Sequence, residues 1–134
     1  MRGIVIIIFV TVLFSSCKQS NKELKERLTA ADSAAINYFK GDGNMDTVVL
    51  VKIIKDRNTL NQLSIFITAD NIVEKVNCGN DRPLHFFKTD MVMQDIYFRM
   101  NDDDCSQFTY SFKSERGAAK LSADAKKLLL RLKQ

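Results

Sequence analysis

The sequence predicts an α+β fold: an antiparallel β-sheet meander with an N-terminal and a C-terminal amphipathic helix packed on one of its faces. Apolar residues recur at helical spacing after residue 23 and again at the C-terminus. Between them, runs from 84 to 112 alternate as strands do and are joined by short polar links. Links that short connect antiparallel neighbours, and helices that flank a meander cover one sheet face.

The first helix is predicted from about Asn21 to Phe39. Its apolar residues are spaced by four, three, four and four positions, which places them on one helix face. They are Leu24, Leu28, Ala31, Ala35 and Phe39. Gly41 follows and can adopt the left-handed conformation that ends a helix.

A strand and a second, shorter helix are predicted next. Residues 47–54 (TVVLVKII) are rich in β-branched side chains and apolar on both alternations except at Lys52. This pattern predicts a strand buried on both faces. Residues 59–67 then favour a short helix capped by Asn58 or Thr59, although their alternation also permits a strand.

The meander itself lies in the second half of the chain. The predicted elements are strands at 84–88, 91–100 and 108–112, turns at 89–90 and 101–104, a turn-rich loop at 77–83 and a further short strand at 72–78. One aromatic face of the meander is expected to be buried; the second strand has Val92, Ile96, Phe98 and Met100 on one face, and the third has Phe108, Tyr110 and Phe112. Ser122 is predicted to cap the last helix, whose apolar stripe is Leu121, Ala125, Leu128, Leu129 and Leu132.

The N-terminus has the composition of an export signal. Arg2 supplies a positive charge, residues 4–14 are apolar except for one threonine, and Ser15 and Ser16 are small residues before Cys17. The apolar run covers 11 residues (4–14), whereas a membrane-spanning helix needs roughly 20. The segment is therefore expected to be a cleaved leader.

Residues 13–17 (Leu-Phe-Ser-Ser-Cys) resemble the lipobox of bacterial lipoproteins. That family usually places leucine three positions before the cysteine, where this chain has Phe14, with Leu13 one position further back. The resemblance implies that Cys17 becomes the new N-terminus and carries acyl chains, palmitate among them, that anchor the protein in a membrane. An ordinary secretory signal, with Cys17 incidental, is the alternative.

These features divide the chain into a signal peptide at 1–16, the lipidated Cys17 with a short tether to residue 22, and one α+β domain at 23–134. Loss of residues 1–16 from the 134-residue chain leaves 118 residues and, without Arg2, lowers the formal charge from +4 to +3. The expected location is the bacterial cell envelope, lipid-anchored on the periplasmic or surface side. A charge this small, together with export, disfavours a nucleic-acid partner.

Two cysteines remain if Cys17 is acylated. Because thiols commonly pair in an oxidising compartment, Cys78 and Cys105 are predicted to form a disulfide. A redox or nucleophilic thiol is less favoured, since neither residue belongs to a CxxC motif or has a nearby histidine. The pair also falls short of the four ligands of a zinc site, in a chain with one histidine.

Other candidate chemistry is weak. Asp42, Asn44 and Asp46 match the first ligands of an EF-hand loop, but Thr47 stands where that loop needs glycine and Ile53 where it needs glutamate. Consecutive acids at 102–104, namely Asp102, Asp103 and Asp104, could attract a cation but are typical of a solvated turn. We therefore expect neither a metal nor another cofactor.

His85 is the single histidine and is predicted to be a half-exposed sheet residue that shares a face with Phe87. No sequence feature supplies it with a partner for acid–base work. The chain lacks a GxSxG motif and a glycine-rich phosphate loop. We therefore expect a protein that is not an enzyme.

The leading hypothesis is a small membrane-tethered envelope lipoprotein that acts as a non-catalytic binding or interaction module of unknown ligand. The alternative is an inhibitor or immunity protein that protects the cell by blocking an enzyme or toxin. A hydrolase or redox enzyme that uses Asp102–Asp104, His85 or a free thiol is the least favoured, because function must be argued from a site.

Overall fold

A computed structural model describes residues 15–39, 48–75, 82–100 and 104–134. Within these ranges the helices are α1 (Ser15–Thr29), α2 (Arg57–Thr68) and α3 (Ala123–Lys133). The strands are β1 (Ser33–Phe39), β2 (Val48–Ile54), β3 (Arg82–Lys88), β4 (Met91–Arg99), β5 (Gln107–Phe112) and β6 (Glu115–Lys120). They form one antiparallel sheet in the order β2-β1-β3-β4-β5-β6. The predicted α+β class is confirmed.

The helices cover one face of the sheet. Alternate residues of β1, β3, β4 and β5 join a single buried cluster with the apolar sides of all three helices. The members with no exposed surface include Leu28, Ile36, Leu60, Leu63, Ile67, Leu84, Phe86, Ile96, Phe98, Phe108 and Leu129. Tyr38 spans this layer, and its hydroxyl donates to the Leu129 carbonyl oxygen at 3.0 Å. Each such aliphatic side chain, fully buried, stabilises the fold by about 1.5–3 kcal/mol.

The prediction of one helix over 21–39 is wrong in its second half. The helix ends at Thr29, and residues 33–39 form the strand β1. Ala34, Ile36 and Tyr38 are buried at strand spacing, whereas the helical stripe relied on Ala31, Ala35 and Phe39. Pairing with β2 and β3 on both sides decides the outcome, because tertiary context overrides a weak helical preference.

Arg57 stabilises the end of α1 that this break creates. Its guanidinium donates to the carbonyl oxygens of Thr29 at 2.8 Å and Ala31 at 3.0 Å. The last carbonyls of a helix have no partner within the helix. A side chain from α2 therefore provides a hydrogen-bond donor to the last carbonyl of α1.

Strand β2 is present as predicted, but it is not buried on both faces. It lies at one edge of the sheet, and Val48, Val51 and Ile53 are exposed. A run of apolar residues identifies a strand but not its place in the sheet, which depends on pairings far away in the sequence.

The element after β2 is a helix, as preferred, but the predicted cap is wrong. The N-cap is Asp56, whose carboxylate accepts from the Thr59 backbone N–H at 3.0 Å and from the Thr59 hydroxyl at 2.8 Å. These hydrogen bonds lower the pKa of Asp56. Thr59 is thus the donor of the cap and not the capping residue.

The hairpin of β3 and β4 contains a feature that the sequence pattern does not reveal. Thr89 and Asp90 form its turn as predicted, both with positive φ. The register then shifts by one residue, so that Phe87 lies opposite Val92 but Phe86 lies opposite Gln94. The bulge turns Val92 to solvent, which corrects its predicted place on the buried face with Ile96.

Strand β6 was not predicted, and the further strand predicted at 72–78 is not formed over its described part, 72–75. A two-residue turn, Lys113–Ser114, connects β5 to β6, and both residues have positive φ. Asn71 forms an isolated bridge with Ala119 of β6 instead. Strand β6 was missed in the sequence because Arg116 and Lys120 make it less apolar than the other strands of the meander.

The last helix agrees with the prediction. The Ser122 hydroxyl caps α3 by accepting from the Ala125 N–H at 3.1 Å. Ala125, Leu128 and Leu129 are buried. Among the described residues, no helix combines the length and the apolar composition that a membrane span requires. Residues 1–14 of the predicted leader, 1–16, lie outside the described part.

Candidate functional site

The face of the sheet opposite the helices, here called the open face, carries no helix among the described residues. Antiparallel partners place their side chains on the same face. The register therefore forms a row across the centre of the open face, with Ile53, Ala35, His85 and Asp95 on successive strands. The candidate site is built on this row.

His85 and Asp95 form a hydrogen-bonded pair in the middle of the row. The distance from His85 Nδ1 to Asp95 Oδ1 is 2.5 Å, and the two side chains are 27% and 44% exposed. The Phe87 ring contacts the imidazole edge to face, with ring centroids 6.3 Å apart. The carboxylate and the ring together fix the imidazole plane, while the pair stays open to solvent.

The bulge in β4 creates this pair. A two-residue turn with continuous pairing would place Gln94 opposite His85; the single extra residue places Asp95 there. Arg27 of α1 holds the bulge, because its Nε and Nη2 both donate to the Met93 carbonyl oxygen, at 2.8 and 2.6 Å. A helix on the covered face thus stabilises the register that brings two polar side chains together on the open face.

Exposed apolar side chains surround the pair. Val51 and Ile53 lie on the open face at the β2 edge and are 50% and 61% exposed, and Tyr97 of β4 is 39% exposed. Val92, turned outward by the bulge, is also exposed. A polar pair inside an apolar and aromatic surround is the composition typical of an interaction surface.

Residues 70–75, here called the edge segment, border the other side of the open face. Ile72 N–H donates to the Ala118 carbonyl and Lys120 N–H to the Asp70 carbonyl, so the segment pairs with the outer edge of β6. Glu74 accepts from Arg116 Nε at 3.0 Å and Nη2 at 2.5 Å. This two-point hydrogen bond lowers the pKa of Glu74.

The edge segment then turns onto the face itself. The side-chain amide of Gln107 accepts from the Lys75 N–H at 3.0 Å and donates to the Lys75 carbonyl at 2.9 Å. Gln107 and its neighbour Thr109 are both buried, although they lie on the open face by register. The segment therefore covers the β5 end and leaves the centre and the β2 side accessible.

The chemistry available at the pair is limited. A carboxylate that orients an imidazole is the geometry of a general base. In the described part of the chain, however, no hydroxyl or thiol side chain hydrogen-bonds His85. Nor does that part contain a group of three or more His, Cys, Asp or Glu side chains placed to hold a metal ion.

The other predicted site residues are dispersed or lie outside the described residues. The backbone of Cys17 belongs to α1, close to its start. Cys105 is partly buried in the turn before β5, and Asp104 beside it is exposed. Cys78, Asp102, Asp103 and the 42–46 acidic cluster are outside the described ranges, so the disulfide stays a prediction.

Asp95 is the residue that the sequence analysis missed. The placement of His85 on a half-exposed strand beside Phe87 is confirmed. One signal was available: Asp95 is the sole acidic residue in the apolar run 91–100, and an acid within a strand needs a partner or solvent. Comparison of the chain with protein-family models, with curated proteins and with solved structures finds no match.

Proposed function

We propose that the protein is a lipid-anchored binding module of the bacterial envelope and that the open face is its recognition surface. The observation that carries the proposal is the one-sided packing of the helices. Every described helix contributes to the same buried cluster, which leaves the His85–Asp95 pair and its apolar surround free to meet a partner.

The expected anchor supports this role. The backbone of α1 begins at Ser15, and Leu24 is its first buried side chain. From Cys17 to Leu24 an α-helix rises only about 10 Å, at 1.5 Å per residue. Acyl chains on Cys17 would therefore hold the domain close to the bilayer, and the segment 17–22 acts as a short helical spacer.

The composition of the open face favours a protein partner. Small-molecule sites are concave and enclose their ligand, whereas the open face presents Tyr97, Phe87 and His85 on the surface of a sheet. Aromatic side chains with a polar tip are enriched at protein interfaces. The partner is thus expected to be an envelope protein that places apolar groups on Tyr97 and Val51 and a polar group on the pair.

Site-specific photocrosslinking in the native membrane tests the proposal. The full chain carries a photoreactive phenylalanine analogue at Tyr97 or, as a matched control, at Ile65, which is 49% exposed on α2. We expect a reproducible light-dependent adduct of one mass from Tyr97 and a severalfold lower yield when His85→Ala is added. Equal adducts from both positions, or none from Tyr97, would contradict the proposal.

A further inference from the structure

We propose that two copies of the chain pair through β2, edge to edge and antiparallel, so that two six-stranded sheets become one sheet of twelve strands. The inference stands on the edges of the sheet and does not depend on what the open face binds. It adds a specific partner, a second copy of this chain, at a surface next to the open face.

The β2 edge has the properties of a strand that pairs with another chain. It is seven residues long, and Val48, Val51 and Ile53 are exposed. Exposed apolar edges without protection add strands, and proteins usually protect them with lysine, proline or a covering segment. Among the described residues nothing pairs with the outer side of β2.

The one charged residue of β2 does not protect this edge. Lys52 is partly buried, and its Nζ donates to the carbonyl oxygen of Gln134 at 2.8 Å. Its ammonium is therefore directed to the end of α3, on the covered side of the sheet. What remains along the edge of the strand is aliphatic.

The opposite edge shows why the product is a closed dimer. β6 is covered by the edge segment through the Asn71–Ala119 bridge and the hydrogen bonds of Ile72 and Lys120. A sheet with two open edges could grow into an open array, whereas one open edge allows a single addition. Pairing of β2 with itself around a twofold axis consumes that edge in both copies.

The sequence of β2 is compatible with twofold pairing. If the axis passes Val51, then Val51 lies opposite its own counterpart and Lys52 lies opposite Leu50. The two copies of Lys52 are then not opposite each other. Like charges directly opposite would destabilise the pairing of the two strands. A contact of seven residues is smaller than the standard interface of about 800 Å² per partner, so confinement to one membrane is expected to favour the dimer through a raised local concentration.

Cysteine crosslinking of the full chain in its membrane tests the register. Val51→Cys places two thiols opposite each other across the axis, and we expect a covalent homodimer under mild oxidation. Ile65→Cys, equally exposed but on α2, is the control and is expected to stay uncrosslinked. Equal crosslinking at both positions, or no covalent homodimer from Val51→Cys, would overturn the inference.

Sedimentation of the purified full chain in detergent gives an independent test. We expect a concentration-dependent dimer that Val51→Lys with Ile53→Lys weakens at least tenfold and that Ile65→Lys leaves unchanged. Because all three side chains are exposed, the melting temperature should change little in either variant, which separates loss of pairing from loss of folding. A wild-type chain that stays monomeric up to about 100 μM, a hundredfold above a micromolar dissociation constant, and that also gives no Val51→Cys homodimer in its membrane would overturn the inference.

Discussion

Single polar side chains bind the backbone where the regular hydrogen bonding of helices and strands is interrupted. Arg27 binds the carbonyl that the β4 bulge exposes, Arg57 binds the last carbonyls of α1, and Gln107 pairs with the backbone of Lys75. Each one satisfies backbone groups that no strand or helix neighbour reaches, and such groups are costly when left unpaired. Sequence patterns of apolar residues do not report these contacts, because the partners are far apart in the chain.

Tyr38 gives a prediction for alkaline conditions. Burial raises its pKa to about 12 from 10.0, so its contribution to stability is complete below pH 10 and is lost as the pH rises through about 12. A difference of two pKa units corresponds to about 3 kcal/mol in the free energy of unfolding. Burial also raises the pKa of Tyr110, so the whole domain is expected to unfold more easily in this range.

The measurement is urea unfolding at pH 9 and pH 12. Tyr38→Phe removes the hydrogen bond to Leu129 and should cost about 1 kcal/mol at pH 9, yet it should lose less stability than the wild type between the two pH values. Tyr97→Phe changes an exposed ring and serves as the control. An unchanged alkaline loss in Tyr38→Phe would show that this hydroxyl is not the cause.

Helices and strands could be predicted from the sequence where the local spacing of apolar residues matches the place of the segment in the fold. Strands β3, β4 and β5 and helix α3 have one clear period each, and all were found. The prediction for segment 33–39 was wrong, because its two alanines and the spacing of its apolar residues also fit a helix. Only the pairing with β2 and β3 makes this segment a strand. Strand β6 was missed for the reverse reason, since four of its six residues are charged or glycine.

Gly117 tests the packing between the last two strands. The Tyr110 ring lies over this residue, and a Cβ at position 117 would be 2.6 Å from the ring Cζ, far inside van der Waals contact. Gly117→Ala should therefore destabilise the domain by about 1–3 kcal/mol, although alanine is the better strand residue elsewhere. In a Tyr110→Ala background the same change should cost almost nothing.

Thermal or urea unfolding of the two single variants and the double variant provides this comparison as a double-mutant cycle. An additive result would mean that the ring does not occupy the space above Gly117. The cycle also tests the pairing of β5 with β6, because Tyr110 and Gly117 are register partners.

At the scale of the whole molecule, the sequence predicted the class of the fold but little of the candidate site. His85 was placed correctly on its strand, yet its pairing with Asp95 depends on a bulge that α1 stabilises from the other face. The open face itself depends on where every helix packs. Both are collective properties, and neither has a signature in a single segment.

The predicted disulfide would join the connection between α2 and β3 to the connection between β4 and β5. The Gln107–Lys75 contact brings the segment before Cys78 beside the strand that follows Cys105, which favours pairing of the two cysteines. We expect no free thiol in the native protein under non-reducing conditions. Cys78→Ser with Cys105→Ser should cost about 3 kcal/mol of stability, as expected for a loop of this length.

Two reactive thiols in the native protein, titrated before and after denaturation, would contradict the pairing. Cys105→Ser alone is the informative control, because it should release one titratable thiol at Cys78 and lower the stability by the same amount as the double variant.

Anchoring decides whether the open face and the β2 edge operate at a membrane, and intact mass spectrometry of the native polypeptide measures it most directly. We expect a chain that starts at Cys17, carries fatty acyl chains on that residue and loses them in Cys17→Ser. A mature chain with an unmodified first residue, or one that keeps residues 1–16, would contradict it.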